Sequence, residues 1–200
     1  MRKIAITQRS ELFESVGETR DTLDTQLVQL VTQCDLCPVP IPNVLSTEKM
    51  LEIWLECVKP DAILFSGGQD FGLFPDRDRL EHSLMNFVMA KKIPTLALCR
   101  GMQLLIKQAG GSLKKVDGHV DQEHDLKGMH NHRVSSFHNF APDFVPSEYH
   151  VITRAYDECV EAIRHKSLPI EGWMWHPERT TSSRQLHISL IKQLLGEHGY

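Results

Sequence analysis

The chain has 200 residues, of which 41% are hydrophobic and 24% charged; this balance excludes a disordered or fibrous chain. Its 22 basic and 26 acidic residues leave a net charge of −4, which excludes a strongly basic nucleic-acid-binding surface. No apolar run approaches the ~20 residues of a membrane span, Met1–Arg9 breaks its apolar run too soon for an export signal, and the five cysteines (34, 37, 57, 99 and 159) have no framework spacing, so the expectation is a cytoplasmic, reduced, single domain over residues 1–200.

Strand-like and helix-like pieces alternate along the chain. Lys3–Thr7 is a short β-type run. Leu23, Leu27, Leu30 and Val31 recur at helical spacing and predict one helix. Pro38–Pro42 is extended, because proline fixes φ and biases its predecessor away from helix. Ser46 is placed to cap a helix whose inner face would be Met50, Ile53, Trp54 and Cys57. Ala62–Ser66 reads as a buried strand, and Leu80, Leu84, Phe87 and Val88 repeat the helical spacing. Thr95–Leu98 is a further strand, and Met102–Gln108 a helix stopped by Gly110 and Gly111. This order predicts a parallel sheet covered by helices on both faces. Beyond Gly111, Lys114–Asn131 is polar and rich in histidine and is expected to be a loop. Val134–Phe137, Val151–Ala155 and Val160–His165 are expected to be short, partly antiparallel strands, and Ile170–Trp175 the last strand. Ser182 or Ser183 then opens a closing helix with Leu186, Leu190, Ile191 and Leu194 inward.

Three pieces carry chemistry. In Leu96-Ala97-Leu98-Cys99-Arg100-Gly101-Met102-Gln103 a buried strand runs straight into a cysteine and then a helix. That arrangement sets the thiol at a helix N-terminus on the carboxyl edge of the sheet, where the dipole favours a thiolate and the N–H of Arg100 is placed to hold an oxyanion. Gly101 allows close backbone approach beneath it. The second piece, Ile63–Asp70, ends a strand in Gly67-Gly68, which frees a backbone N–H to serve as a second donor. The third, Trp173–Glu178, ends a strand in His176-Pro177-Glu178. A thiol nucleophile needs a base and the base an orienting carboxylate; with the chain turned by Pro177, Glu178 reaches the far nitrogen of His176.

Gly-Gly, Cys-x-Gly-x-Gln and His-Pro-Glu in this order resemble the class I glutamine amidotransferase family, and within it the γ-glutamyl hydrolase-like branch. The resemblance implies a flavodoxin-like, mostly parallel sheet with helices on both faces. It implies a small γ-glutamyl substrate attacked at its amide carbonyl through a thioester, with no cofactor. Carried over, Cys99 is the nucleophile, His176 the base and Glu178 its orienter. Gly68 and Arg100 form the oxyanion hole, and Gly67 supports the turn. Gln103 and the segment Ser136, Phe137 and His138 match positions that contact substrate. Ala97 stands where the family usually has glycine, and Phe140 where it often has glutamine. Ile4–Arg9, Ser136–Asn139 and Met174–Arg179 look similar to hydrolases of a nucleotide-linked γ-glutamyl amide, for which Arg9 at the sheet's carboxyl edge is a candidate phosphate contact. The alternatives are a hydrolase of γ-glutamyl-aminobutyrate type, a glutaminase that passes ammonia to a separate synthetase, and a non-catalytic module on the same fold. Cys34-Asp-Leu-Cys37 lies after a helix and reads as incidental. His119 and His124, with Asp121 and Glu123, lack a metal-site spacing and read as part of a solvated loop, so no metal is expected.

Overall fold

The computed structural model describes residues 1–196. Its main sheet begins with parallel strands β1 (Arg2–Thr7), β4 (Leu36–Ile41), β5 (Ala62–Phe65), β6 (Thr95–Leu98) and β13 (Ile170–Trp173). Antiparallel strands β8 (Val120–Gly128), β9 (Arg133–Phe137), β11 (Tyr149–Ala155) and β12 (Val160–His165) extend it. The strand order is β4-β1-β5-β6-β13-β12-β11-β8-β9, parallel through β13 and antiparallel from β12 onward. Two separate ribbons pair β2 (Arg9–Phe13) with β3 (Glu18–Thr22) and β7 (Ser112–Lys115) with β10 (Phe140–Phe144).

Alternation along the central strands explains why helices cover both faces. Ile4, Ile6, Leu64, Leu96 and Leu98 point into one core, closed by α1 (Thr25–Gln33) and α5 (Arg184–Leu195). Ala5, Ile63, Phe65 and Ala97 point into the other, closed by α2 (Glu48–Val58), α3 (Pro75–Lys91) and α4 (Arg100–Gln108). The flavodoxin-like, mostly parallel arrangement expected from the sequence is therefore present in the half of the sheet that carries Cys99.

Several local expectations are corrected. Leu23 precedes α1, which is capped by Asp24. Helix α2 is capped by Thr47 rather than Ser46, and it buries Leu51 and Leu55; Met50, Ile53 and Cys57 are exposed, while Trp54 packs half-buried against the core. Apolar residues surround α2, so periodicity alone did not choose the face. In α5, capped at Ser183, Leu186 is exposed and His187 and Ile188 turn inward with Ile191 and Leu194. The polar stretch Lys114–Asn131 is not a loop: it holds β7's end and all of β8, with His119 and His130 buried. The β2–β3 ribbon had no apolar pattern to announce it. Gly17 turns it at φ 65°, and Ser10–Asp21 and Thr22–Glu11 side-chain contacts lace it.

Candidate active site

Cys99 sits between β6 and α4 at φ 48° and ψ −103°, a conformation that L-residues avoid and that marks a sharp strand-to-helix elbow. Two contacts hold it there. Its N–H donates to the carbonyl of Trp173 at 2.7 Å, and its carbonyl accepts from the N–H of Gln103 at 3.0 Å, closing the first turn of α4. The next residue but one must be glycine: a Cβ on Gly101 would lie 2.6 Å from the carbonyl oxygen of Phe65, so α4 starts in contact with β5. The backbone N–H of Arg100 is one of the unpaired donors of the helix's first turn.

His176 lies just beyond β13, buried, with Nδ1 2.6 Å from Oε1 of Glu178. Cys99 acts electrostatically on the same ring. Burial disfavours the imidazolium, but the Glu178 carboxylate and the Cys99 contact outweigh it and push the His176 pKa up to about 9. Glu178 is itself buried; His176 overcomes the burial penalty and holds the carboxyl below its ordinary range. The backbone around this pair is tied to β9: His176 N–H donates to Ser135 O at 3.2 Å, Ser135 N–H to Thr180 Oγ1 at 3.1 Å, and Thr180 Oγ1 to His176 O at 3.2 Å.

Gly67 packs against both groups. A Cβ there would be 2.7 Å from His176 Cε1 and 3.5 Å from Cys99 Cβ. Gly68 adopts φ 152° between Arg77 and Arg9, the two side chains its missing Cβ would meet first. Arg77, buried on α3, organises this turn: Nη2 donates to the carbonyls of Ser66 (3.0 Å) and Gly67 (3.1 Å), Nη1 to Gln69 Oε1 (3.3 Å), and Nε to Glu81 (2.9 Å). Glu81 and Asp78 also bind the guanidinium of Arg100, which stacks on Phe71 4.2 Å from the ring centroid. Burial lowers Arg77 to about 10 and Arg100 to about 9, so both stay charged at neutral pH. This Arg77–Glu81–Arg100–Asp78 network was missed in the sequence. Its signal was an i, i+4 charge pair lying on the same stripe as Leu80, Leu84 and Val88.

The other sequence-picked residues divide. On β9, Phe137 turns toward the site, its ring edge-on to His176 at 5.8 Å and under Arg179 at 4.4 Å. Ser136 and His138 point the opposite way, as period-two geometry requires; Ser136 Oγ donates to His119 O and His138 Nε2 faces Glu161. Their side chains are buried on the face of β9 opposite Phe137. Gln103 is buried as well and donates to the Phe140 carbonyl at 3.1 Å, so its side chain ties α4 to β10. Arg9, half-buried at the start of β2, lies beside Gly68 and lines a small cleft with Ser66, Gly67 and Glu178.

The sequence model of the family described as glutamine amidotransferase class-I matches residues 18–192. A γ-glutamyl-CDP-amidate hydrolase of Campylobacter jejuni is 29% identical over 95% of this chain and 99% of its own. A component of the glutamine-hydrolysing GMP synthase of Methanococcoides burtonii is 31% identical over 81% of this chain and 86% of its own. Among solved structures, a glutamine amidotransferase from Thermotoga maritima superposes with a TM-score of 0.67 at 16% identity, over 97% of this chain and 84% of that one.

Proposed function

From the premise that this chain belongs to the class I glutamine amidotransferase family, we propose that it is a cytoplasmic, single-domain γ-glutamyl hydrolase working through Cys99, His176 and Glu178. The observation that carries this reading is the Cys99 elbow at φ 48° facing a buried His176 whose Nδ1 is fixed 2.6 Å from Glu178. In the first half-reaction Cys99 Sγ attacks the γ-carbonyl carbon of the substrate while His176, an imidazolium at neutral pH, holds the thiol's proton on Nε2. The N–H groups of Gly68 and Arg100 receive the oxyanion, and Gly67 leaves room for the imidazole. His176 then returns the proton to the leaving nitrogen as the C–N bond breaks, leaving a thioester. Water, deprotonated by His176, opens the thioester and releases glutamate. Glu178 keeps the base in the tautomer with Nε2 toward the thiol and stabilises the imidazolium.

For the leaving group we propose the CDP-amidate of γ-glutamyl-CDP-amidate, a step in making a phosphoramidate capsule modification. The near full-length similarity to the Campylobacter jejuni hydrolase supports it, as does Arg9 beside Gly68. The similarity to the GMP synthase component favours a second reading, a glutaminase that passes ammonia to a synthetase. Glutamate release from γ-glutamyl-CDP-amidate, γ-glutamyl-aminobutyrate and glutamine by the purified protein separates them. Cleavage of the nucleotide substrate far above the others supports the first reading. Cleavage of glutamine alone, and only with a partner added, establishes the second; no release from any of the three sinks both.

A further inference from the structure

A second constellation of reactive side chains lies behind β9, away from Cys99. His119, His124, His138, Cys159 and Glu161 come from three places in the chain and meet at one carboxylate. Oε1 of Glu161 is 3.3 Å from His119 Nδ1, 3.3 Å from His138 Nε2 and 3.5 Å from His124 Nε2. Ligand atoms of His119, Cys159 and Glu161 all lie within 4.8 Å of one another. All of these residues but His124 are buried.

We propose that His119, His138, Cys159 and Glu161 bind one divalent transition-metal ion of the zinc type, with His124 standing at the open side of the site. Three imidazoles facing a single carboxylate oxygen is a poor arrangement for hydrogen bonding alone. Glu161 Oε2 and His119 Nδ1 are buried without a hydrogen-bond partner among the described residues, and a cation held between that nitrogen and the carboxylate gives both of them one. The spacings fit. A tetrahedral ion with bonds of ~2.0–2.1 Å to nitrogen and oxygen has ligand–ligand edges of about 3.3–3.4 Å. The donor set of imidazole, thiolate and carboxylate is the one zinc takes.

The outer contacts are those of a ligand set as well. His119 Nε2 is 2.8 Å from Asp157 Oδ2, which fixes the ring with Nδ1 turned inward, the carboxylate–histidine pairing that orients metal ligands. A cleft of about 370 Å³ lined by Gly118, His119, His124 and Asp157 gives an ion access from solvent. On binding, Cys159 would release its thiol proton to water and coordinate as thiolate. The ion would staple the segment leading into β8, the end of β9 and the start of β12. His138 directly follows Phe137, the residue packed on His176.

The test uses the full-length protein without a polyhistidine tag, stripped with chelator, reloaded with Zn²⁺, desalted and analysed by mass spectrometry for metal. The expected result is one zinc per chain, with a raised Tm on reloading. Cys159→Ser and Glu161→Gln should lose the ion. Asp157→Asn, at an exposed position that endangers folding least, should bind it ~10- to 100-fold more weakly. Cobalt-loaded wild type should show the visible bands of a tetrahedral site and a thiolate-to-cobalt charge-transfer band, a readout that needs no variant. Folded wild type that retains no metal after loading would overturn the proposal, leaving Glu161 neutralised by proton-sharing histidines. Equal metal content in wild type, Cys159→Ser and Glu161→Gln would overturn it too, by placing the ion elsewhere, for instance at Cys34 and Cys37. A cobalt site without the thiolate band would overturn this ligand set.

Discussion

Gly67 and His176 are in direct contact: a Cβ on Gly67 would stand 2.7 Å from Cε1 of the imidazole, closer than real Cβ contacts come. The ring has no room to retreat, because Glu178 holds its other edge at 2.6 Å and its backbone is tied to Ser135. In Gly67→Ala the imidazole must therefore rotate away from Cys99. Misplacing a reacting group by this order costs about 10²-fold in rate. We expect kcat to fall by that factor while the folded state, read by circular dichroism, persists. Activity within about twofold of wild type would show that the base is not held by this packing.

Cys99 should be the thiol that iodoacetamide labels first near neutral pH, since a helix N-terminus and an imidazolium both favour reaction there. Burial pushes Cys34 up to about 11, which takes it out of competition. Cys99→Ser should lose at least ~10³-fold in kcat, because a hydroxyl is a far weaker nucleophile beside this base. His176→Asn should approach that loss, and Glu178→Gln should cost less, because the carboxylate orients the base without touching substrate. The His176–Glu178 double variant should be no worse than His176→Asn alone, since the two residues act as a unit. Peptide mapping that finds Cys37 or Cys57 labelled first, together with an active Cys99→Ser, would reject the nucleophile; additive losses would count against the unit.

Arg77 reaches the Gly67 and Ser66 carbonyls only because Glu81 neutralises it in the interior. Glu81→Gln should leave two buried guanidinium groups short of charge. Breaking a buried pair in this way costs ~3–5 kcal/mol, which thermal or urea unfolding would register. A change below ~1 kcal/mol would mean that Asp78 alone balances Arg77 and Arg100.

Much of this centre was legible because it lies where apolar runs end abruptly: the strand before Cys99 and the strands before Gly67 and His176 are buried on both faces, and their motifs sit at the edges. The Arg77 network and the histidine cluster were not legible, for a shared reason. Their polar residues are buried by pairing with partners far along the chain, His119 with Glu161 and Arg100 with Glu81, and a one-dimensional pattern reads such residues as solvent-facing. The inward face of α5 failed for the same reason, with His187 turned in and Leu186 out.

His187 and His132 share one hydrogen bond, Nε2 to Nε2 at 2.9 Å, which needs at least one of the two rings neutral. Burial first, and the neighbouring histidines second, lower His132 to about 4 and His187 to about 3. Unfolded, both titrate near ~6.5, so as pH falls below that value the unfolded chain takes up protons that the folded chain refuses. Stability should drop between about pH 6.5 and 4. His176, raised to about 9, acts in the opposite sense: its contribution is complete below ~6.5 and is lost as pH rises toward 9. Tm should therefore peak near pH ~6.5, and His187→Leu should flatten the acid limb. An unchanged acid limb in that variant would remove the pair as its cause.

Arg9 offers the sharpest test of the leaving group. Its side chain lies beside Gly68, which the proposed mechanism gives a place in the oxyanion hole. A guanidinium holds two phosphate oxygens at once through its planar fork. Binding energy from a remote diphosphate also helps position the scissile amide, so truncating the substrate should lower kcat as well as affinity. A charge-assisted hydrogen bond of ~1.5–3 kcal/mol corresponds to roughly 10- to 150-fold in kcat/KM. Arg9→Ala should show that loss with γ-glutamyl-CDP-amidate and almost none with γ-glutamyl-aminobutyrate, because the smaller substrate has no phosphate to hold. An equal loss on both substrates would make Arg9 a support for the Gly68 turn rather than a phosphate contact. Equal wild-type rates on both would remove the nucleotide from the reading and leave a general γ-glutamyl hydrolase.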